Sequence, residues 1–505
     1  MQTSSDSERD AHRVHEAPRH TLRALLVMTV VLAVPYATPR LRALRVVELP
    51  HGEPPGEEAL GASEGERVSA SAAPTSPPGE QALPASENMA TVNNALPPES
   101  LEPRGALPPI TREVRASLRS VAIEDPSGHA LDKFFERLAR TDRKEQGAVT
   151  RVLHYGDSII ASDYVSGTAR RRLQARFGDA GHGFILIANP WQWYFHNDVA
   201  HTSNSEWKAS RLRGPAAADG MYGLGGVSFT SYAGGVAWFG TATHGDFGRR
   251  VSRFDLYYLE QPGGGTLEMS VRGGAQERFS TRGDTKVARV HSIRTEDGEA
   301  GMTVRATGGP VRLFGVALER DRPGVVYDAL GSHGALAMLW QRQNREHWKE
   351  EMALRDPALV IVEYGTNESD LWRLDRTEYE HTLSDLIDEL HEVAPRASVL
   401  VISPLDRGEV RAGKIVTKPV IVDLVTIQRR VAAARGAAFW SAFDAMGGQG
   451  AMARWVRARP QLAGEDLTHP TPVGAEVLGD MLSDAIIDGF VHNSRAEAPT
   501  YSETP

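Results

Sequence analysis

Four short apolar runs, set apart from one another by sequence of a different period, do most to narrow what this chain can fold into. They are Thr150-Arg151-Val152-Leu153-His154-Tyr155, Val325-Val326-Tyr327, Leu359-Val360-Ile361-Val362 and Val399-Leu400-Val401-Ile402. Such runs read as strands buried on both faces, the signature of a parallel sheet. Residues 164–177, 379–393, 421–434 and 474–487 carry helical spacing instead. Strands alternating with helices predict a doubly wound, three-layer α/β domain.

Residues 195–321 have another character, rich in Gly, Thr, Ser and Arg, with period-two runs such as Leu267, Met269, Val271 and Met302, Val304, Ala306. Turn signals recur at Pro262-Gly263-Gly264-Gly265, Gly273-Gly274 and Asp297-Gly298. This predicts an antiparallel β-sandwich inserted into the α/β domain, which is thereby divided into 111–194 and 322–490.

The ends of the chain differ again. Residues 1–23 form a basic leader with Arg9, Arg13, Arg19 and Arg23, and residues 24–39 are uncharged around Leu25-Leu26-Val27-Met28-Thr29-Val30-Val31-Leu32. That pair reads as an export signal or an uncleaved membrane anchor, so the expected location is the cell envelope, on its periplasmic or extracellular face. Residues 40–110 follow as a disordered linker rich in Pro, Ala and Glu, and 491–505 as a polar, disordered tail. Twelve of the 30 prolines fall between Pro50 and Pro109, a composition unable to bury enough surface to offset the entropy of ordering. The chain has no cysteine, which removes disulfides, thiolate metal sites and a thiol nucleophile. A net charge of −9, with basic residues scattered along the chain, argues against nucleic acid as a partner. No dinucleotide, phosphate-loop or His-Glu-x-x-His motif is present, so no cofactor or metal is expected.

Ligands of an open α/β sheet lie at the carboxyl ends of its strands. Gly156-Asp157-Ser158 follows the first run, Gly331-Ser332-His333-Gly334 the second and Gly365-Thr366-Asn367-Glu368 the third; Asp466-Leu467-Thr468-His469 precedes the last helix. A serine hydroxyl becomes a useful nucleophile only beside a base. Asp466, three residues before His469, can reach the ring nitrogen that such a base does not use. Gly-Asp-Ser or Asp-x-x-His alone is an ordinary turn sequence, and the weight rests on all four segments occurring together in this order.

These four segments resemble the blocks that define SGNH (GDSL-like) hydrolases. The resemblance implies Ser158 as nucleophile, His469 as general base and Asp466 as its orienting carboxylate. It also implies an oxyanion hole made by the backbone N–H groups of Ser158 and Gly334 and the side-chain amide of Asn367, with Asp157 and Gly365 in support. Two positions depart from the usual text: Ile159 follows the serine, and Glu368 stands where an aspartate is common. Neither is assigned a part in the chemistry.

The inserted β domain, with Phe177-Gly178-Asp179-Ala180-Gly181-His182-Gly183-Phe184 and Phe314-Gly315-Val316-Ala317-Leu318-Glu319, narrows the resemblance to bacterial peptidoglycan O-acetylesterases, in which a carbohydrate-binding-like module interrupts the hydrolase. The expected substrate is therefore an acylated glycan, with the N-terminal segment as the link to a membrane. Trp191, Trp193, His333 and Trp372 are candidates to touch substrate, whereas Trp238 and Tyr257 read as core. An O-acetyltransferase with the same triad, an esterase for lipids or secondary metabolites, and a non-catalytic glycan-binding protein stay open as alternatives.

Overall fold

The computed structural model describes residues 110–191, 194–371 and 373–496. The expected leader, signal or anchor, nearly all of the linker and residues 497–505 of the expected tail lie outside the described residues, as do Trp193 and Trp372, whereas residues 491–496, expected to belong to the disordered tail, continue the last helix. Among the described residues no helix is long and apolar enough to cross a membrane.

Five parallel strands form the central sheet: β1 (Val149–Gly156), β2 (Gly324–Gly331), β3 (Leu359–Glu363), β4 (Ser398–Ile402) and β5 (Ala438–Trp440). Their spatial order is β2-β1-β3-β4-β5. Neighbouring side chains alternate between two cores, as a pleated sheet requires. On β3, Val360 and Val362 join one core while Leu359 and Ile361 join the other. The first core takes apolar residues from helices α3 (Arg345–Arg355), α4 (Arg376–Val393) and α5 (Pro419–Ala434). The second takes them from α1 (Asp132–Asp142), α2 (Val165–Phe177) and α6 (Pro472–Ala496). The expected three layers are therefore present. Strand β5, three residues long, was too short to stand out as a period in the sequence.

The β-rich region forms two antiparallel sheets, one of six strands and one of five. Phe229, Phe254 and Leu313 of the larger sheet and Phe239, Met269 and Val304 of the smaller share one buried core. That core also holds Leu153 and Tyr155 of β1 and Trp348 of α3, so the inserted sheets share a core with the α/β domain. The short strand Gly183–Ile185 also joins the larger sheet, pairing with Val311–Glu319.

A buried ionic network ties this region to the α/β sheet. Glu319 meets Arg355 at 2.5 Å and Arg151 at 2.8 Å, and Arg355 meets Asp328 of β2 at 2.6 Å. Burial opposes the Glu319 charge, but Arg151 and Arg355 outweigh it and hold the carboxyl well below its ordinary range. Breaking one member of such a network leaves an uncompensated buried charge, which typically costs about 3–5 kcal/mol.

Candidate active site

A sheet order of 2-1-3-4-5 reverses direction beside β1, and open α/β sheets bind their ligands at the carboxyl ends of the strands at such a point. Ser158 directly follows β1. Asp157 caps the single helical turn Ser158–Ala161 by accepting the Ile159 N–H at 2.9 Å. A Cβ on Gly156 would lie 2.5 Å from Ile160 Cγ1, so glycine lets the chain turn this tightly.

The opposite wall is a strained turn. Asp466 Oδ1 accepts the N–H groups of Thr468 at 3.0 Å and His469 at 3.1 Å, while Leu467 adopts φ of 58°, the left-handed region that most side chains avoid. The turn leaves Asp466 Oδ2 2.6 Å from His469 Nδ1 and puts His469 Nε2 2.8 Å from Ser158 Oγ. Partial burial raises the cost of the Asp466 charge, but the hydrogen bonds from the His469 ring and the two N–H groups prevail and keep its pKa below the usual value. The three side chains thus form an unbroken relay suited to passing a proton from the hydroxyl to the imidazole.

Two further loops close around Ser158. The Ser332 N–H donates to Gly156 O at 3.0 Å, joining the glycine loop to the serine loop, and Gly334 turns with φ of 68°. Asn367 Nδ2 donates to Ala335 O at 2.9 Å and makes a longer contact, 3.4 Å, with Asp157 Oδ2. The Asn367 amide therefore bridges the serine and glycine loops. Gly365, φ 120°, packs where a Cβ would lie 2.9 Å from Pro404 Cγ.

Glu368 turns out to hold the loops together. Its buried carboxylate accepts the N–H of Ala337 at 2.8 Å and that of Gly365 at 2.9 Å, so one side chain fixes the glycine and asparagine loops at once. Burial raises its pKa, and the backbone donors restrain the rise. The longer reach of glutamate over aspartate gives the residue after Asn367 this span, a role the sequence alone did not suggest. Arg407 is the second such residue. It donates to Thr366 O at 3.0 Å, to Ser369 Oγ at 2.7 Å and to Thr468 Oγ1 at 3.0 Å, linking the asparagine loop to the Asp466–His469 turn. No motif marks it, because its partners are 41 and 61 residues away. Replacing it, Arg407→Ala, should lower kcat on p-nitrophenyl acetate by about tenfold and cost about 1–2 kcal/mol in thermal unfolding. Unchanged kcat with the same loss of stability would make Arg407 purely structural.

Asp157 is buried, and burial is the main reason its pKa is pushed up to about 7; the Ile159 N–H opposes the rise, while Glu363 and Glu368 add to it. Below about pH 7 the folded chain therefore keeps a proton that the unfolded chain releases near 3.8. The stability this supplies is complete below pH 3.8 and is lost as pH rises through about 7. Asp157→Asn should flatten stability against pH between about 4 and 7, by of order 1 kcal/mol per pH unit. Parallel slopes for wild type and variant in urea unfolding would count against the raised pKa.

Of the aromatic candidates, Trp191 is half-buried against the core and stands edge-on to His333, with ring centroids 5.5 Å apart. The pair thus adjoins Gly334. Trp238 and Tyr257 are core, as expected. Among the described residues no group of three or more His, Asp or Glu is placed to hold a metal ion.

Residues 296–477 match the GDSL-like Lipase/Acylhydrolase family. The match spans Gly334, Asn367, Asp466 and His469 but begins within the inserted sheets, after Ser158. No curated protein matches the chain. Among solved structures, one described as a peptidoglycan O-acetylesterase in action is 24% identical, with a TM-score of 0.62 over 73% of this chain and 99% of its own. The two share a fold that includes both the α/β domain and the β sheets. A family two carbohydrate esterase from Cellvibrio japonicus is 10% identical over 58% of this chain and 98% of its own, with a TM-score of 0.25. An acetylxylan esterase from Geobacillus stearothermophilus is 18% identical over 33% of this chain and 72% of its own, also with a TM-score of 0.25. At that score neither bears on the argument.

Proposed function

We propose that this chain, an esterase of the GDSL-like lipase/acylhydrolase family through residues 296–477, removes acetyl groups from a polysaccharide of the cell envelope, with peptidoglycan as its substrate. The observation that carries the chemistry is the relay from Ser158 through His469 to Asp466, at 2.8 and 2.6 Å. In this reading Ser158 Oγ attacks the acetyl carbonyl while His469 Nε2 takes its proton. His469 then returns that proton to the departing sugar oxygen, leaving acetyl-Ser158. Water, deprotonated by the same imidazole, releases acetate and restores the hydroxyl. Each oxyanion would be met by the N–H groups of Ser158 and Gly334 and by Asn367 Nδ2, fixed donors that typically contribute about 10²- to 10³-fold each.

The glycan is supported by the shared fold of hydrolase and β sheets along 99% of the O-acetylesterase structure. Residues 24–39 would hold or deliver the enzyme to the envelope. The test is acetate release from O-acetylated peptidoglycan by the full-length protein, beside p-nitrophenyl acetate. Release from both supports the reading. Cleavage of the artificial ester alone would remove peptidoglycan as the substrate, and acetyl groups recovered on an added sugar acceptor would make the enzyme a transferase.

A further inference from the structure

The inserted β region brings charge to the glycine loop. Segment 211–214 leaves the strand Lys208–Arg211 and runs against Gly334, where the Arg213 guanidinium lies so close that a Gly334 Cβ would sit 2.7 Å from its Cζ and from Nη1. Arg211 donates to Pro190 O at 2.7 Å, directly before Trp191, and Arg342 donates to Leu212 O at 3.0 Å. Three guanidinium groups therefore gather along segment 211–214, and that of Arg213 borders the glycine loop. Among the described residues none of the three has a carboxylate partner. Elsewhere in the fold, arginines packed into the structure are neutralised: Arg151 and Arg253 by Glu319, Arg170 by Asp163, Arg312 by Asp219 and Arg320 by Asp297. Arg211 and Arg342 spend donors on backbone carbonyls, which holds segment 211–214 in place but cancels no charge. Arg213 is left exposed on that segment, beside the loop that would receive the oxyanion.

We infer that Arg213 is a specificity-determining residue that reads a carboxylate on the sugar carrying the ester. This rests on the proposed function and refines its substrate to an anionic acetylated sugar. An arginine fork matches a carboxylate in a way a neutral sugar cannot exploit, and the two neighbouring guanidinium groups raise the local attraction for anions. The carboxylate has two possible sources in such a glycan: the lactyl ether on the sugar itself, or the terminus of a peptide attached to it. Because Arg213 belongs to the inserted region and Gly334 to the hydrolase, the insertion would set substrate choice through direct contact at the active site.

The experiment compares kcat/KM of the full-length protein on three esters: 6-O-acetyl-N-acetylmuramic acid, its L-alanyl amide, and 6-O-acetyl-N-acetylglucosamine, which lacks the lactyl group. Wild type should prefer the carboxylate-bearing esters by roughly tenfold, the worth of one well-made charged hydrogen bond. The preference should shrink at high salt. Arg213→Ala should bring the ratio near one, Arg213→Lys should keep part of it, and Arg213→Glu should invert it. Preference for the free lactyl acid over its alanyl amide assigns the sugar's own carboxylate, and the reverse order the peptide terminus. Wild type that favours the neutral sugar, hydrolyses none of the three, or loses equally on all of them with Arg213→Ala would overturn the inference. Intact ester preference with no release from polymeric peptidoglycan would instead sink the proposed polymer while leaving Arg213 its role.

Discussion

Ser158→Ala is expected to lower kcat on p-nitrophenyl acetate by about 10⁶-fold, to the rate that binding and the remaining donors sustain. The reason is local: among the described residues no other hydroxyl makes a hydrogen bond with His469 Nε2, which lies 2.8 Å from Ser158 Oγ. The side chain is half-buried at a helical start, and the cap on that turn comes from Asp157, so removing one oxygen should leave the melting temperature within a degree or two. The measurement is pre-steady-state and steady-state hydrolysis, with thermal unfolding as control. A folded variant that retains wild-type turnover would take Ser158 out of the mechanism and leave the relay without a nucleophile.

Asp466→Asn is expected to cost about 10⁴-fold in kcat with the fold intact, through the wrong tautomer of His469. In the wild type one carboxylate oxygen accepts two backbone N–H groups and the other faces Nδ1. An asparagine must keep its single oxygen toward the two N–H donors, or the turn that carries Leu467 at φ 58° loses both of its clamps. Its NH₂ then faces Nδ1, which becomes an acceptor and drives the ring proton to Nε2. An Nε2 that already bears hydrogen cannot take the serine proton. The tautomer can be read directly from ¹⁵N chemical shifts of labelled histidine. Near-normal activity in the variant, with Nδ1 still protonated, would show that Asp466 does not set the tautomer.

Much of the site was legible before folding because its residue types are bound to short local text. Asp466 and His469 are three residues apart and meet through a single turn, and Ser158 follows a strand whose buried character is plain in Val152 to Tyr155. The departures from expectation come from residues whose partners are distant in sequence. Glu368 was set aside as a neutral substitution, yet its carboxylate joins Gly365, three residues before it, to Ala337, 31 residues before it. Only the second contact gives it meaning. Arg407 has no signature at all, since an arginine that binds one carbonyl, a serine and a threonine looks in sequence like any surface cation. The inserted β region was visible as a change of period, but period says nothing of what a sheet packs against. Its core proved continuous with Leu153, Tyr155 and Trp348 of the α/β domain.

The sequence by itself determined the class of the fold, the three loops at the strand ends with the Asp466–His469 turn before the last helix, and the candidates for the reacting groups, because strand burial, turn chemistry and nucleophile type are properties of short segments. Tertiary structure alone decided how those loops are held and what borders them: Glu368 and Arg407 across the rim, the Glu319 network at the joint, and Arg213 against Gly334. Such contacts join residues from tens to hundreds of positions apart, as Ser158 and His469 are by 311. Hydrogen bonds and ion pairs of that separation exist only once the sheet order has brought the strand ends together, so no local pattern records them.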